Sequence, residues 1–297
     1  MQIDIAFDAR SGVAEAPFWD ADDGALWWVD ITRKEVLRWR PGSETPRRWP
    51  VPDFPSAVVL RRRSGALVAL RDGLYFMELE TGRLDCFCRP EADRPDNRSN
   101  EGKCDALGRF WLGTMQNNLN PDGSGRELTR STGALYCVRP DGSSTRAVDG
   151  VGLANTLAWT ADDGTLYFGD SLANLIWAFD CDLETGRLAN RRVFTHESLP
   201  GFCDGSAIDA EGYLWNARFA GAAVVRVAPD GRVAGIVELP VTNPTSCCFG
   251  GPDLKTLYVT SARFTLSDEQ LRRNPLEGAL LALHPEVGGT PSHWFAG

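Results

Sequence analysis

The stretch Leu199–Trp215, LPGFCDGSAIDAEGYLW, decides the reading of the whole chain. Asp204 stands just ahead of a short alternating run. That run ends at a tight turn, Asp209-Ala210-Glu211-Gly212, and a second apolar strand opens at Leu214. The same pattern returns along the chain. Counting back from the residue that opens each second strand, Asp204 lies 10 positions before Leu214 and Asn100 lies 10 before Phe110. Glu15, Ser56, Asn155 and Ser246 lie 11 before Leu26, Leu67, Leu166 and Leu257. The one-residue difference follows the turn, since AEG and ALG are one shorter than ADDG. Six residues therefore hold one place in six repeats, and each carries a side-chain oxygen.

The residues that open the second strands are 41, 43, 56, 48 and 43 apart. Each repeat reads as three to four short strands between Gly, Asp and Pro turns. Periods of this size with several strands per unit indicate propeller blades, because one blade cannot bury both faces of its sheet and six packed radially can. The expected fold is all-β, a six-bladed β-propeller, with residues 1–297 as one domain. One short helix is expected over 267–274, where Ser267 and Gln270 form a capping-box pattern ahead of Pro275. The terminal segments IDIAF and HWFAG have strand character and are candidates to close the ring on each other.

The 297 residues carry a net charge of −9, which disfavours nucleic acid as a partner. Short arginine runs, such as Arg61-Arg62-Arg63, read as solvated faces. No apolar run is long enough to span a membrane. MQIDIAFDARSG reads as a strand and not as a signal peptide, so a cytoplasmic location with reduced thiols is expected. None of the eight cysteines forms a CxxC pair, so a zinc knuckle has no support. Cys203, beside Asp204, is a candidate nucleophile or, more simply, a small buried side chain.

In a propeller the first strand of each blade lines the central channel. Glu15, Ser56, Asn100, Asn155, Asp204 and Ser246 should then ring one mouth. The long loops Gln116–Thr132 and Arg263–Glu277 should rim it. Converging carboxylates repel unless a cation or proton intervenes. Glu15, Asn155 and Asp204 offer hard oxygen ligands suited to Ca²⁺, Mg²⁺ or Mn²⁺, with Zn²⁺ and Fe²⁺ also possible. A wet polar pore accounts for the same spacing. Arg98 is either a donor to substrate oxygens or a surface arginine in ADRPDNR. Lys103 reads as structural. His284 and His293 fall far from the expected mouth, and His196 lies in the loop leading to Asp204.

Four stretches carry a resemblance that covers essentially the whole chain: NEGKCDALGRFWLGTM (Asn100–Met115), LANTLAWTADDGTLYFGDS (Leu153–Ser171), CDGSAIDAEGYLW (Cys203–Trp215) and CFGGPDLKTLYVTSA (Cys248–Ala262). The chain resembles the senescence-marker-protein/gluconolactonase/regucalcin family of six-bladed propellers. The resemblance implies a divalent metal held by Glu15, Asn155 and Asp204, with Arg98 and Asn100 on a sugar-like substrate. Glu101 stands where an aspartate is common and is a candidate hydroxyl acceptor. Ala14 and Ala16 replace glycines beside the glutamate, Thr156 replaces one after the metal-binding asparagine, and Thr129 stands where some members bind substrate with glutamate. The expectation is a metal-dependent lactonase acting on a sugar lactone, with Asp204 as proton acceptor. A calcium-binding regulator and a phosphotriester hydrolase at the same site are the alternatives.

Overall fold

The strand Ala25–Asp30, ALWWVD, shows why this chain must form a ring. It is buried along its full length. Leu26 and Trp28 pack toward the last repeat, against Tyr258 and Leu280. Trp27 and Val29 pack the other way, against Val58 and Leu67 of the second repeat. Alternating side chains thus face two neighbours, and an apolar run with both faces covered is the consequence. Burying one such side chain contributes about 1.5–3 kcal/mol. The same arrangement recurs at the later repeats, where three further clusters join the third blade to the fourth, the fourth to the fifth and the fifth to the sixth.

The computed structural model describes residues 1–195 and 197–297. Among these residues six four-stranded antiparallel sheets form the blades. The innermost strands are Ala14–Asp20, Pro55–Leu60, Asn97–Cys104, Ala154–Trp159, Phe202–Ile208 and Pro244–Gly250. The helix Asp268–Arg273 has Ser267 as its N-cap and the reciprocal capping box with Gln270. Among the described residues no helix is long and apolar enough to cross a membrane.

Ring closure differs from the expectation. The two terminal segments do not pair with each other. Ile3–Phe7 completes the last blade by pairing with Leu280–Leu283, in register Ile3↔Leu283 and Ile5↔Leu281. The C-terminal segment instead crosses the channel. Thr290 N donates to the Ile208 carbonyl, Phe295 N to that of Leu60, and Ala296 N to that of Gly108. Arg61, expected to be solvated, donates to the carbonyl of Gly297 and lies over the Phe76 ring. A four-strand blade lacking its outer strand exposes a row of unpaired backbone groups, which the first residues of the chain cover.

Candidate active site at one mouth of the channel

Every innermost strand is bulged at or directly beside the position the repeat count singled out. The register shifts fall at Glu15/Phe18, Pro55/Ala57, Ser99/Gly102, Asn155/Leu157, Cys203/Ser206 and Pro244/Ser246. A bulge re-aims a side chain and leaves local backbone unpaired. Two bulges hold a non-glycine residue in the left-handed region, Ala16 at φ 49° and Thr156 at φ 48°. These are two of the positions where the resemblance has glycine, so the backbone explains the preference. Ala14 has no such conformation. A β-branched threonine at positive φ is strained.

Hydrogen bonds tie the ring positions together across blades. Ser56 Oγ donates to Ser99 Oγ at 2.9 Å. Asn100 Nδ2 donates to the Ala154 carbonyl at 2.8 Å and to Asn155 Oδ1 at 3.1 Å. Asn155 Nδ2 donates to Ser171 Oγ at 2.7 Å, and that hydroxyl donates to the Cys203 carbonyl. Thr156 Oγ1 donates to the Asp204 carbonyl, which also accepts from Asn216 Nδ2 at 2.8 Å. Gly205 is required here, since a Cβ would come 2.0 Å from Ser246 Oγ.

Against this hydrogen-bonded frame the carboxylates are poorly served. Asp204 is 5% exposed, and its Oδ1 has no partner among the described residues. Glu15 accepts one backbone bond, from Ala16 N. Desolvation, then the charge of Glu101, pushes the Glu15 carboxyl up to about 8 against the pull of Ala16 N–H, Arg98 and Lys103. Desolvation, then Glu15 and Glu101, raises Asp204 well above the usual carboxylate range. Burial likewise raises Glu101, with Lys103 opposing. Three carboxyls therefore share one poorly solvated space.

The structure brings Glu15, Arg98, Asn100, Glu101, Asn155 and Asp204 to this mouth. Arg98 is not a surface residue. It is 5% exposed, with Nε on Asn118 Oδ1 at 3.0 Å and Nη1 on the Ser99 carbonyl at 2.7 Å. Burial lowers its pKa to about 10, with Glu15 opposing. The two long loops meet above the channel, where Gly125 approaches the Phe264 ring. Thr129 is tied to Gln116 in the first of them. Lys103, read from the sequence as structural, carries its charge within reach of Glu15 and Glu101. Its spacing of two from Glu101 on one strand was the available signal. Ser171, Asn118 and Asn216 come from other strands and loops and left no local signature.

Cys203 is fully buried, and burial pushes its thiol up to about 12, which makes it inert. All eight cysteines are free. His284 pairs with Asp4 at the rim of the last blade, and His293 lies in the C-terminal segment. His196 lies outside the described residues.

A divalent cation fits this donor set. The orphaned Asp204 Oδ1, the nearly unpartnered Glu15 and the Asn155 amide oxygen are hard ligands, and their mutual repulsion is relieved by positive charge. No three His, Cys, Asp or Glu side chains cluster closely enough to share a metal among the described residues.

Residues 13–263 match the family model described as the SMP-30/Gluconolactonase/LRE-like region. The chain is 36% identical to regucalcin of Xenopus laevis over 282 residues, covering 94% of this chain and 93% of that one. The crystal structure of a calcium-binding protein, regucalcin, from Agrobacterium tumefaciens superposes with a TM-score of 0.90 at 31% identity, over 98% of this chain and 96% of that one. The structure of a luciferin-regenerating enzyme does so with 0.89 at 27% identity, over 99% of both chains. This six-bladed propeller, matched along the chain by these proteins, belongs to the SMP-30/gluconolactonase family.

Proposed function

We propose that this protein is a metal-dependent lactonase that opens a sugar lactone, an aldonolactone of a five- or six-carbon sugar such as a glucono-, xylono-, arabino- or galactonolactone. The observation that carries the reading is the convergence of Glu15, Glu101 and Asp204 beside Asn155, with one Asp204 oxygen unpartnered. Glu15, Asn155 and Asp204 would hold the cation. A bound divalent cation supplies Lewis-acid polarisation of the ring carbonyl and makes water a better nucleophile at neutral pH.

The chain's own groups do the rest. The Asp204 oxygen not given to the cation accepts a proton from the attacking water as the water's oxygen bonds to the lactone carbonyl carbon. The ring C–O bond then breaks, and the same carboxyl returns the proton to the departing ring oxygen, leaving an open-chain hydroxy acid. Arg98 is held by Asn118 and Ser99, so its Nη2 is pre-aimed as a donor to substrate oxygens. Both Asn100 amide hydrogens are spent on blade four, so its Oδ1 is the atom left to accept a substrate hydroxyl. Glu101 supplies a further acceptor. The buried position of these groups strengthens each contact.

A pH-stat panel of pentono- and hexonolactones, run with chelator and then with metal add-back, tests this. Turnover that disappears with chelator, returns with one cation and is lost in Glu15→Gln supports the proposal. Full turnover by the chelated protein, or by Asp204→Ala, refutes it. The calcium-binding name of the Agrobacterium relative favours a second reading, a calcium-binding regulator. Micromolar calcium binding without lactone turnover would select it. Turnover of an organophosphate panel in place of lactones would point to phosphotriester hydrolysis.

A further inference from the structure

The opposite end of the channel holds a cavity of about 290 Å³ that includes none of Glu15, Asn155 and Asp204. Its size lies at the lower edge for small-molecule sites. Phe18, Val58, Leu157 and Phe249, from four different blades, form apolar walls. The C-terminal segment crosses the outer end at Thr290–His293, pinned at Ile208 and Leu60. Gly289 lets that segment pass, because a Cβ there would come 1.9 Å from the Phe249 ring.

Lys103 stands at the inner end. Its ammonium donates to the Ser206 carbonyl, its one hydrogen bond among the described residues. An ammonium has three donors. The charge acts in two directions. It lowers Glu15 and Glu101 on the side of the carboxylate mouth, and it lowers Cys247 and Cys248, which line the cavity. The other charged side chain of the lining is Asp163, from the turn that follows the innermost strand of blade four. A cation at the blind end of an apolar pocket is complemented by a small anion with an apolar tail.

We propose that this cavity binds a short-chain aliphatic monocarboxylate, its carboxylate on Lys103 and its chain along Phe18, Val58, Leu157 and Phe249. The two ends of the channel are then coupled. A cation at Glu15 and Asp204 neutralises the carboxylates that otherwise balance Lys103, so the ammonium attracts the cavity anion more strongly. By linkage the anion tightens the cation by the same factor. This coupling rests on the cation reading of the carboxylate mouth, whereas the anion site does not.

The test is calorimetric titration of the full-length protein, calcium-loaded and chelator-stripped, with hexanoate and with hexanol as its neutral counterpart. Saturable binding of one hexanoate is expected, at least about tenfold tighter than hexanol, because a charge-assisted contact is lost in the alcohol. Lys103→Met should lose that preference. Ala207→Leu, which fills the cavity from its wall and leaves Lys103 in place, should abolish binding, and it carries the test if Lys103→Met does not fold. Hexanol binding as tightly as hexanoate, hexanoate binding untouched by Ala207→Leu, or no saturable binding would each overturn the site. Equal hexanoate affinity with and without calcium would overturn the coupling while leaving the anion site standing.

Discussion

Asp204 and Asp209 sit five residues apart at the two ends of one strand run, and they are treated in opposite ways. Asp209 is fully buried. Its Oδ1 accepts the backbone N–H groups of Glu211 and Tyr213, and its Oδ2 accepts Trp215 Nε1 at 2.9 Å and Arg226 Nε at 2.8 Å. Asp105 repeats the arrangement two blades earlier with Arg109 and Trp111. Asp204 is almost as buried, yet its Oδ1 has no partner among the described residues, and the like charges of Glu15 and Glu101 act on it more strongly than the opposing charge of Arg218. The saturated carboxylate knits a turn to its blade. The starved one is a poor structural element and, on the proposed reading, a cation ligand. Buried polar groups left unsatisfied are costly, so one that persists marks a place where something else binds.

The comparison can be broken most severely by truncating each aspartate. Asp204→Ala should lower lactone turnover about 10³-fold or more and remove the cation. The metal-free protein should melt no lower than the parent, because an unsatisfied buried carboxyl is gone. Asp209→Ala should do the reverse, losing about 3–5 kcal/mol of stability by leaving Arg226 and Trp215 unpaired while folded molecules keep their turnover. Denaturant melts paired with turnover per folded molecule separate the two. Equal effects of the two substitutions would erase the distinction.

A middle-sized effect is the pH dependence. Glu15 is raised from 4.5 to about 8 in the folded chain, so the folded state holds a proton that the unfolded state releases between those values. Stability of the metal-free protein should therefore fall as pH rises through that window, and Asp204 and Glu101 push the same way. Cation affinity should rise over the same interval, with proton release seen as a buffer-dependent heat of binding. A metal-free melting temperature that climbs from pH 6 to 8 would contradict the desolvated site.

The smallest effects concern the strained backbone beside the ligands. Ala16→Gly should stabilise by about 1 kcal/mol, because glycine adopts positive φ without the Cβ clash. Thr156→Gly gains the same relief but loses the hydroxyl that grips the Asp204 carbonyl, so stability should change little while cation affinity falls. Thr156→Ser, which keeps the hydroxyl, should restore that affinity. If serine and glycine bind the cation equally, the hydroxyl latch between blades four and five has no role in holding Asp204.

The sequence alone determined the repeat. Its turn residues, its alternating strands and its six aligned oxygens are local, and local pattern survives in a one-dimensional string. It also determined the short helix, whose cap is written within a few residues. Only the tertiary structure decided which strand closed the ring, because IDIAF and HWFAG read alike as strands and what distinguishes them is the partner each meets. It alone decided that Arg98 is buried and that Lys103 stands between the carboxylates and the far cavity. Burial and electrostatic field are sums over neighbours from other blades. Aligned spacing says which residues share a ring, but whether an oxygen in that ring is satisfied depends on every group packed around it.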